Sequence, residues 1–130
     1  MDSRYYQKLA EDIVNLDSGI LSAHLTSNPA GSVLGEYLRS EYRKEIGTAP
    51  DRADGMIPKW VVSIFNTLRR MDSFRSKTRY VIVGRDRYIG IFFLLASNED
   101  VLIAMTLEKN KRAPVEIYEM VNRYVNGLIK

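Results

Sequence analysis

The stretch RYVIVGRDRYIGIFFLLASNEDVLIAMT, residues 79–106, decides the fold. It is the most apolar part of the chain, yet four of its first nine residues are charged. A membrane-spanning helix needs about 20 consecutive, mainly apolar residues, and the longest uncharged run here, Tyr88 to Asn98, is far shorter. The stretch divides instead into three strands rich in β-branched and aromatic residues, Arg79 to Val83, Tyr88 to Ala96 and Val101 to Leu107. Gly84-Arg85-Asp86-Arg87 and Ser97-Asn98-Glu99-Asp100 separate them with good turn chemistry.

In the middle strand both alternating sets are apolar: Ile89, Ile91, Phe93 and Leu95 on one side, Tyr88, Phe92 and Leu94 on the other. Such a strand belongs inside a sheet covered on both faces. Arg79 to Val83 is only half as apolar and suits an edge, where an unpaired row of N–H and C=O groups is a pairing hazard or a dimer site.

Upstream, Ile57, Trp60, Val61, Ile64, Phe65, Leu68 and Met71 recur at helical spacing, with Pro58 in the first turn. That rhythm predicts a central helix that buries Trp60 and Phe65, with Lys59, Ser63, Asn66, Thr67 and Arg70 on its other face. Before it, Ser40 to Met56 is polar and charged and reads as a long loop, within which Glu41 to Ile46 can form a short helix. A loop of that length is uncommon unless functional or disordered, which makes it a candidate contact segment. Asp51, Arg52 and Asp54 within it read as a solvated turn rather than as an acid/base pair.

Further upstream, Ile20 to Thr26 alternates Leu21, Ala23 and Leu25 with Ser22, His24 and Thr26. The turn Asn28-Pro29-Ala30-Gly31 and the strand Ser32 to Leu38 complete a hairpin. Tyr6, Leu9, Ile13 and Leu16 predict a first helix capped by Asp2 or Ser3. Pro114 opens a last helix carrying Ile117, Tyr118, Val121, Tyr124, Val125 and Leu128. The expected architecture is α+β in the order α-β-β-α-β-β-β-α: a five-stranded antiparallel sheet with the central helix on one face and both terminal helices on the other. At 130 residues, with 45% hydrophobic and 27% charged residues, one folded domain over 1–130 is expected.

This pattern resembles the roadblock family, the dynein-light-chain-like relatives of the longin and profilin-like folds, over nearly the whole chain. The resemblance rests on Ile20 to Leu38, on Trp60 to Met71, and on YIGIFFLLA, VLIAMTLE and PVEIYEMVNRYV. The closing portion is also similar to small archaeal roadblock-like proteins. The resemblance implies a non-catalytic module that dimerises by joining the edge strands after the central helix and serves as a platform for small Ras-like GTPases. Carried over by position, the dimer surface comprises Arg79, Tyr80 and Ile82 on the edge strand and Lys59, Ser63, Asn66 and Arg70 on the helix. The segment Ser40 to Met56 departs from the shorter connection of that family.

The chemical inventory is sparse. The absence of cysteine removes disulfides, thiolate nucleophiles and cysteine metal sites, and fits a cytoplasmic protein. His24 is the sole histidine and reads as a polar-face or hydrogen-bonded structural residue. No P-loop, G-x-G-x-x-G or carboxylate-rich metal loop is visible in the sequence, so no cofactor, metal or catalytic residue is nominated. Net charge is +3, but residues 69–87 alone carry +5. Such a belt can meet an acidic protein face, a lipid surface or nucleic acid, or stay solvated. Arg85 and Arg87, with Arg43 and Arg52, are the candidate partner contacts. A small-ligand sensor of profilin-like type is the alternative to a scaffold, and single-strand binding is weakened because Tyr88 is needed in the core.

Overall fold

The sequence order places a meander of three strands after the central helix and a hairpin before it, and the sheet forms where the two meet. The computed structural model describes residues 3–28, 30–46, 50–95 and 98–127. Its elements are α1 (Ser3–Val14), β1 (Ile20–Ser27), β2 (Val33–Leu38), α2 (Ser40–Ile46), α3 (Pro50–Arg69), β3 (Val81–Gly84), β4 (Tyr88–Leu95), β5 (Asn98–Glu108) and α4 (Pro114–Gly127). The expected α-β-β-α-β-β-β-α order is adopted, with short α2 ahead of the central helix. Strand order is β2-β1-β5-β4-β3, antiparallel throughout. The seam between hairpin and meander is β1 on β5, running from Ile20 opposite Leu107 to Ser27 opposite Val101.

Two cores result, one on each face. Leu9, Ile13, Ile117, Val121 and Val125 from α1 and α4 pack on Ala23, Leu25, Ile91, Phe93, Ile103 and Met105. Val61, Val62 and Phe65 of α3 pack on Phe92, Leu102 and Ala104. β4 supplies both, as its doubly apolar pattern demands. Among the described residues no helix is long and apolar enough to cross a membrane.

Three expectations need correction. The expected loop at 40–56 is largely helical: α2 occupies Ser40–Ile46 and α3 begins at Pro50 rather than beside Pro58. Pro50 fits a first helical turn, and Ala53 and Met56 are good helix formers, so local propensity outweighs the polarity that suggested a loop. Trp60, expected in the core, is 45% exposed, and Met71 is 80% exposed. Trp60 lies beyond the core arc of Val61, Val62 and Phe65, and Met71 lies past the end of α3 at Arg69. β3 starts at Val81, leaving Arg79 and Tyr80 ahead of it, while β5 reaches back to Asn98. On β1, the alternate residues Ser22, His24 and Thr26 are buried as well.

At the β2 end of the sheet, α1 lies directly on the strand. A side chain at Gly35 would place its Cβ 2.5 Å from the carbonyl carbon of Tyr6 and 2.6 Å from the nitrogen of Gln7, so only glycine permits this approach.

Candidate interaction surface

The outer strands β2 and β3 present their backbones differently. On β2, the Gln7 side chain reaches from α1 to Glu36: its Nε2 donates to the Glu36 carbonyl at 2.6 Å and its Oε1 accepts the Glu36 N–H at 3.2 Å. One side-chain amide thus occupies the donor and acceptor that an added strand would use. On β3, the Arg85 N–H donates to the Tyr88 carbonyl at 2.9 Å, which fixes the hydrogen-bond phase of the hairpin. Counting back along the antiparallel register, Val83 and Val81 bond to Gly90 and Phe92, whereas Ile82 and Gly84 turn their N–H and C=O groups outward. No further strand lies there among the described residues.

Side chains around β3 match that opening. Val81 and Val83 pack into the core under α3, while Ile82 faces the other way and is 40% exposed. Trp60 packs edge-on against Phe92, with ring centroids 6.4 Å apart, and leaves its remaining surface outside. Ile64 and Leu68 continue along the same flank of α3 by helical spacing, and Ile64 packs against the same core as Val81.

The seven residues expected at a dimer surface are not all brought together. Asn66 donates its Nδ2 to Asn28 Oδ1 at 2.7 Å, and Lys59 lies against Gly31. Both therefore sit on the flank of α3 facing the β1–β2 turn, not on the flank toward β3. Ser63 and Arg70 are exposed on the outer surface of the helix, and Arg79 is exposed ahead of β3. Tyr80 is half-buried, its ring 4.8 Å from Tyr118 of α4. Ile82 alone sits at the centre of the open edge. Of the apolar stripe, Ile64 packs on the core as expected, whereas Trp60 on the same flank is 45% exposed.

The candidate partner contacts also disperse. Arg85 and Arg87 are exposed at the β3–β4 turn, with the Arg87 guanidinium 5.7 Å from the centre of the Tyr88 ring. Tyr42 of α2 meets the same ring at 5.3 Å, and Lys109 Nζ donates to the Asp86 carbonyl at 2.9 Å. A shallow concavity of about 530 Å³ is lined by residues from Val83 to Tyr88. Arg43 is exposed on α2; the Arg52 side chain, like those of Asp51 and Asp54, lies outside the described residues. β3 runs between the cations of 69–79 and those at 85 and 87, so the basic belt is two groups rather than one.

His24 is 5% exposed, and its Nε2 lies 3.0 Å from Glu36 Oε2 across the β1–β2 pair. The hydrogen bond from His24 holds the Glu36 carboxyl below its ordinary range; burial opposes this and the charges of His24 and Arg43 assist it. The pair is a strand-to-strand tie. Among the described residues no group of three or more histidine, aspartate or glutamate side chains is placed to hold a metal ion.

No protein-family model matches the sequence, and no curated protein matches it. Solved structures do. A structure described as MglB with tetrameric arrangement superposes with a TM-score of 0.72 at 11% identity, covering 98% of this chain and 86% of that one. The gliding protein mglB from Thermus thermophilus gives 0.70 at 10% identity, over 95% of this chain and 84% of that one. A roadblock/LC7 domain from Streptomyces avermitilis gives 0.66 at 20% identity, over 95% and 96%. The chain has the roadblock/LC7 fold.

Proposed function

We propose that this chain is a non-catalytic scaffold that works as a homodimer, two copies of β3 pairing antiparallel so that their α3 helices come side by side. The observation that carries this reading is the open β3 edge: outward-facing backbone at Ile82 and Gly84, beside the exposed surfaces of Ile82 and Trp60. Continuing the sheet would satisfy the outward amides and remove apolar surface from water, at roughly 25 cal/mol per Å². A protein of the same fold is described in a tetrameric arrangement, which supports assembly of copies as a use of this fold. In the dimer, Trp60, Ile64 and Leu68 form the helix part of the interface with Ser63 and Arg70 at its rim, and Arg79 flanks the paired strands. Lys59 and Asn66 stay with the β1–β2 turn.

The roadblock resemblance supplies the class of partner, a small Ras-like GTPase in the cytoplasm. Arg85 and Arg87, with Arg43 on α2, are the cations this reading offers to it. Light scattering across micromolar concentrations, followed by capture of any GTPase from the native organism with the purified dimer, tests both steps. A dimer that dissociates when Ile82 becomes Asp supports the first; a monomer throughout removes it.

A further inference from the structure

The segment between α3 and β3 is a built turn with an unusual load. Asp72 Oδ1 accepts the Thr78 N–H at 3.0 Å and the Thr78 hydroxyl at 2.7 Å, closing its neck. Above the neck, Ser73 and Ser76 form a two-way backbone bridge, at 2.9 and 3.2 Å, and Ser73 Oγ accepts the Arg75 and Ser76 N–H groups. What this frame projects is Phe74, 88% exposed, with Met71 at its base, 80% exposed. The other large apolar side chains that reach the surface among the described residues are less than half exposed. The turn also carries Arg75 and Lys77, both exposed, with the Arg75 guanidinium 5.5 Å from the centre of the Phe74 ring, and the exposed Arg70 and Arg79 border it in sequence. The acid of the segment, Asp72, is engaged inside the turn.

We infer that this turn is a docking knob for an anionic membrane surface, Phe74 and Met71 entering the headgroup and acyl boundary while Arg75 and Lys77 meet lipid phosphates. Each half of the pattern alone has an ordinary explanation; their combination on a hydrogen-bonded frame is what a lipid interface rewards. Nucleic acid would use the cations and could stack on Phe74, but it gives no reason for Met71 to be bare. Arg85 and Arg87, beyond the other end of β3, are not part of the knob. This inference does not depend on dimerisation.

Flotation of the full chain with phosphatidylcholine vesicles containing about a third phosphatidylserine tests it, against pure phosphatidylcholine. The expected result is co-flotation with the anionic vesicles only, weakened by salt. Partition should fall about tenfold for Phe74→Ser, as expected from losing one large apolar insertion, and at least as far for Arg75→Glu with Lys77→Glu. Thermal melts should match wild type, because Phe74 buries almost nothing in the fold. Three results would each overturn the inference: no binding to anionic vesicles at low salt, binding indifferent to Phe74→Ser, or a Phe74→Ser variant whose oligomeric state changes in light scattering. Tighter binding to a single-stranded oligonucleotide than to the vesicles would also overturn it and assign the knob to nucleic acid.

Discussion

β2 and β3 end the same sheet, and only one of them is closed. β2 is covered by α1, whose backbone rests against Gly35 and whose Gln7 takes both outward groups of Glu36. β3 has its outward groups at Ile82 and Gly84 free of any strand among the described residues, with half-exposed apolar side chains alongside. A sheet with two open edges can grow into a filament, whereas one with a single open edge closes after one pairing. The asymmetry is therefore an argument about stoichiometry: it favours a dimer and disfavours open-ended assembly.

The largest effect should come from breaking the closed edge itself. Gly35→Ala drives a Cβ into the α1 backbone, so α1 must lift from β2. We expect a loss of about 3 kcal/mol in urea unfolding, at the upper end of overpacking costs, with aggregation through the uncovered strand. Wild-type stability in that variant would mean that α1 is not seated as described.

Ile82→Asp attacks the open edge. It places a charge in the strand seam of the proposed dimer, where an unpaired buried charge costs about 3 kcal/mol or more. The dimer dissociation constant should rise at least about 100-fold by sedimentation equilibrium, while the melting of the monomer barely moves. Tyr80→Asp is a poorer probe, since the Tyr80 ring packs at a tilt against Tyr118 and its loss would also weaken the core.

Gln7→Ala sharpens the contrast by converting the closed edge into a second open one. Two hydrogen bonds to Glu36 disappear, at a cost of about 1 kcal/mol net. The informative readout is light scattering, in which species larger than a dimer should now appear. An unchanged size distribution would show that α1 alone closes β2.

The smallest effect concerns Glu36 and pH. Its carboxyl is held below the ordinary value of 4.5, so its contribution is complete above that pH and is lost as pH falls through the lowered value. Glu36→Gln should flatten the acid limb of the stability curve below about pH 4.5 and leave neutral behaviour nearly unchanged. A curve that keeps its acid limb would place the titrating group elsewhere.

Period-two alternation and turn residues are enough to read the five strands and their layering, because burial on both faces leaves a direct trace in β4. The open edge is legible too, from the thinner apolar content of 79–83. What escapes is contact geometry. Whether Trp60 lies inside or outside depends on how wide an arc of α3 the sheet covers, and Trp60 lies beyond the core arc of Val61, Val62 and Phe65. Gln7 and Glu36 stand 29 residues apart, and nothing local marks a glutamine as an edge cover. Phe74 is a lone aromatic among serines and cations in the sequence, but its exposure follows only from the hydrogen-bonded turn that holds it away from the sheet.

The most direct test of the central claim compares single amides on the two edges. Hydrogen exchange resolved by residue should show the Glu36 amide protected at every protein concentration, since its partner lies within the chain. The Ile82 and Gly84 amides should exchange fast in dilute protein and become protected as concentration rises, in step with the appearance of dimer. Fast exchange at Ile82 in a sample shown to be dimeric would contradict the account, because the two copies would then be joined somewhere other than β3.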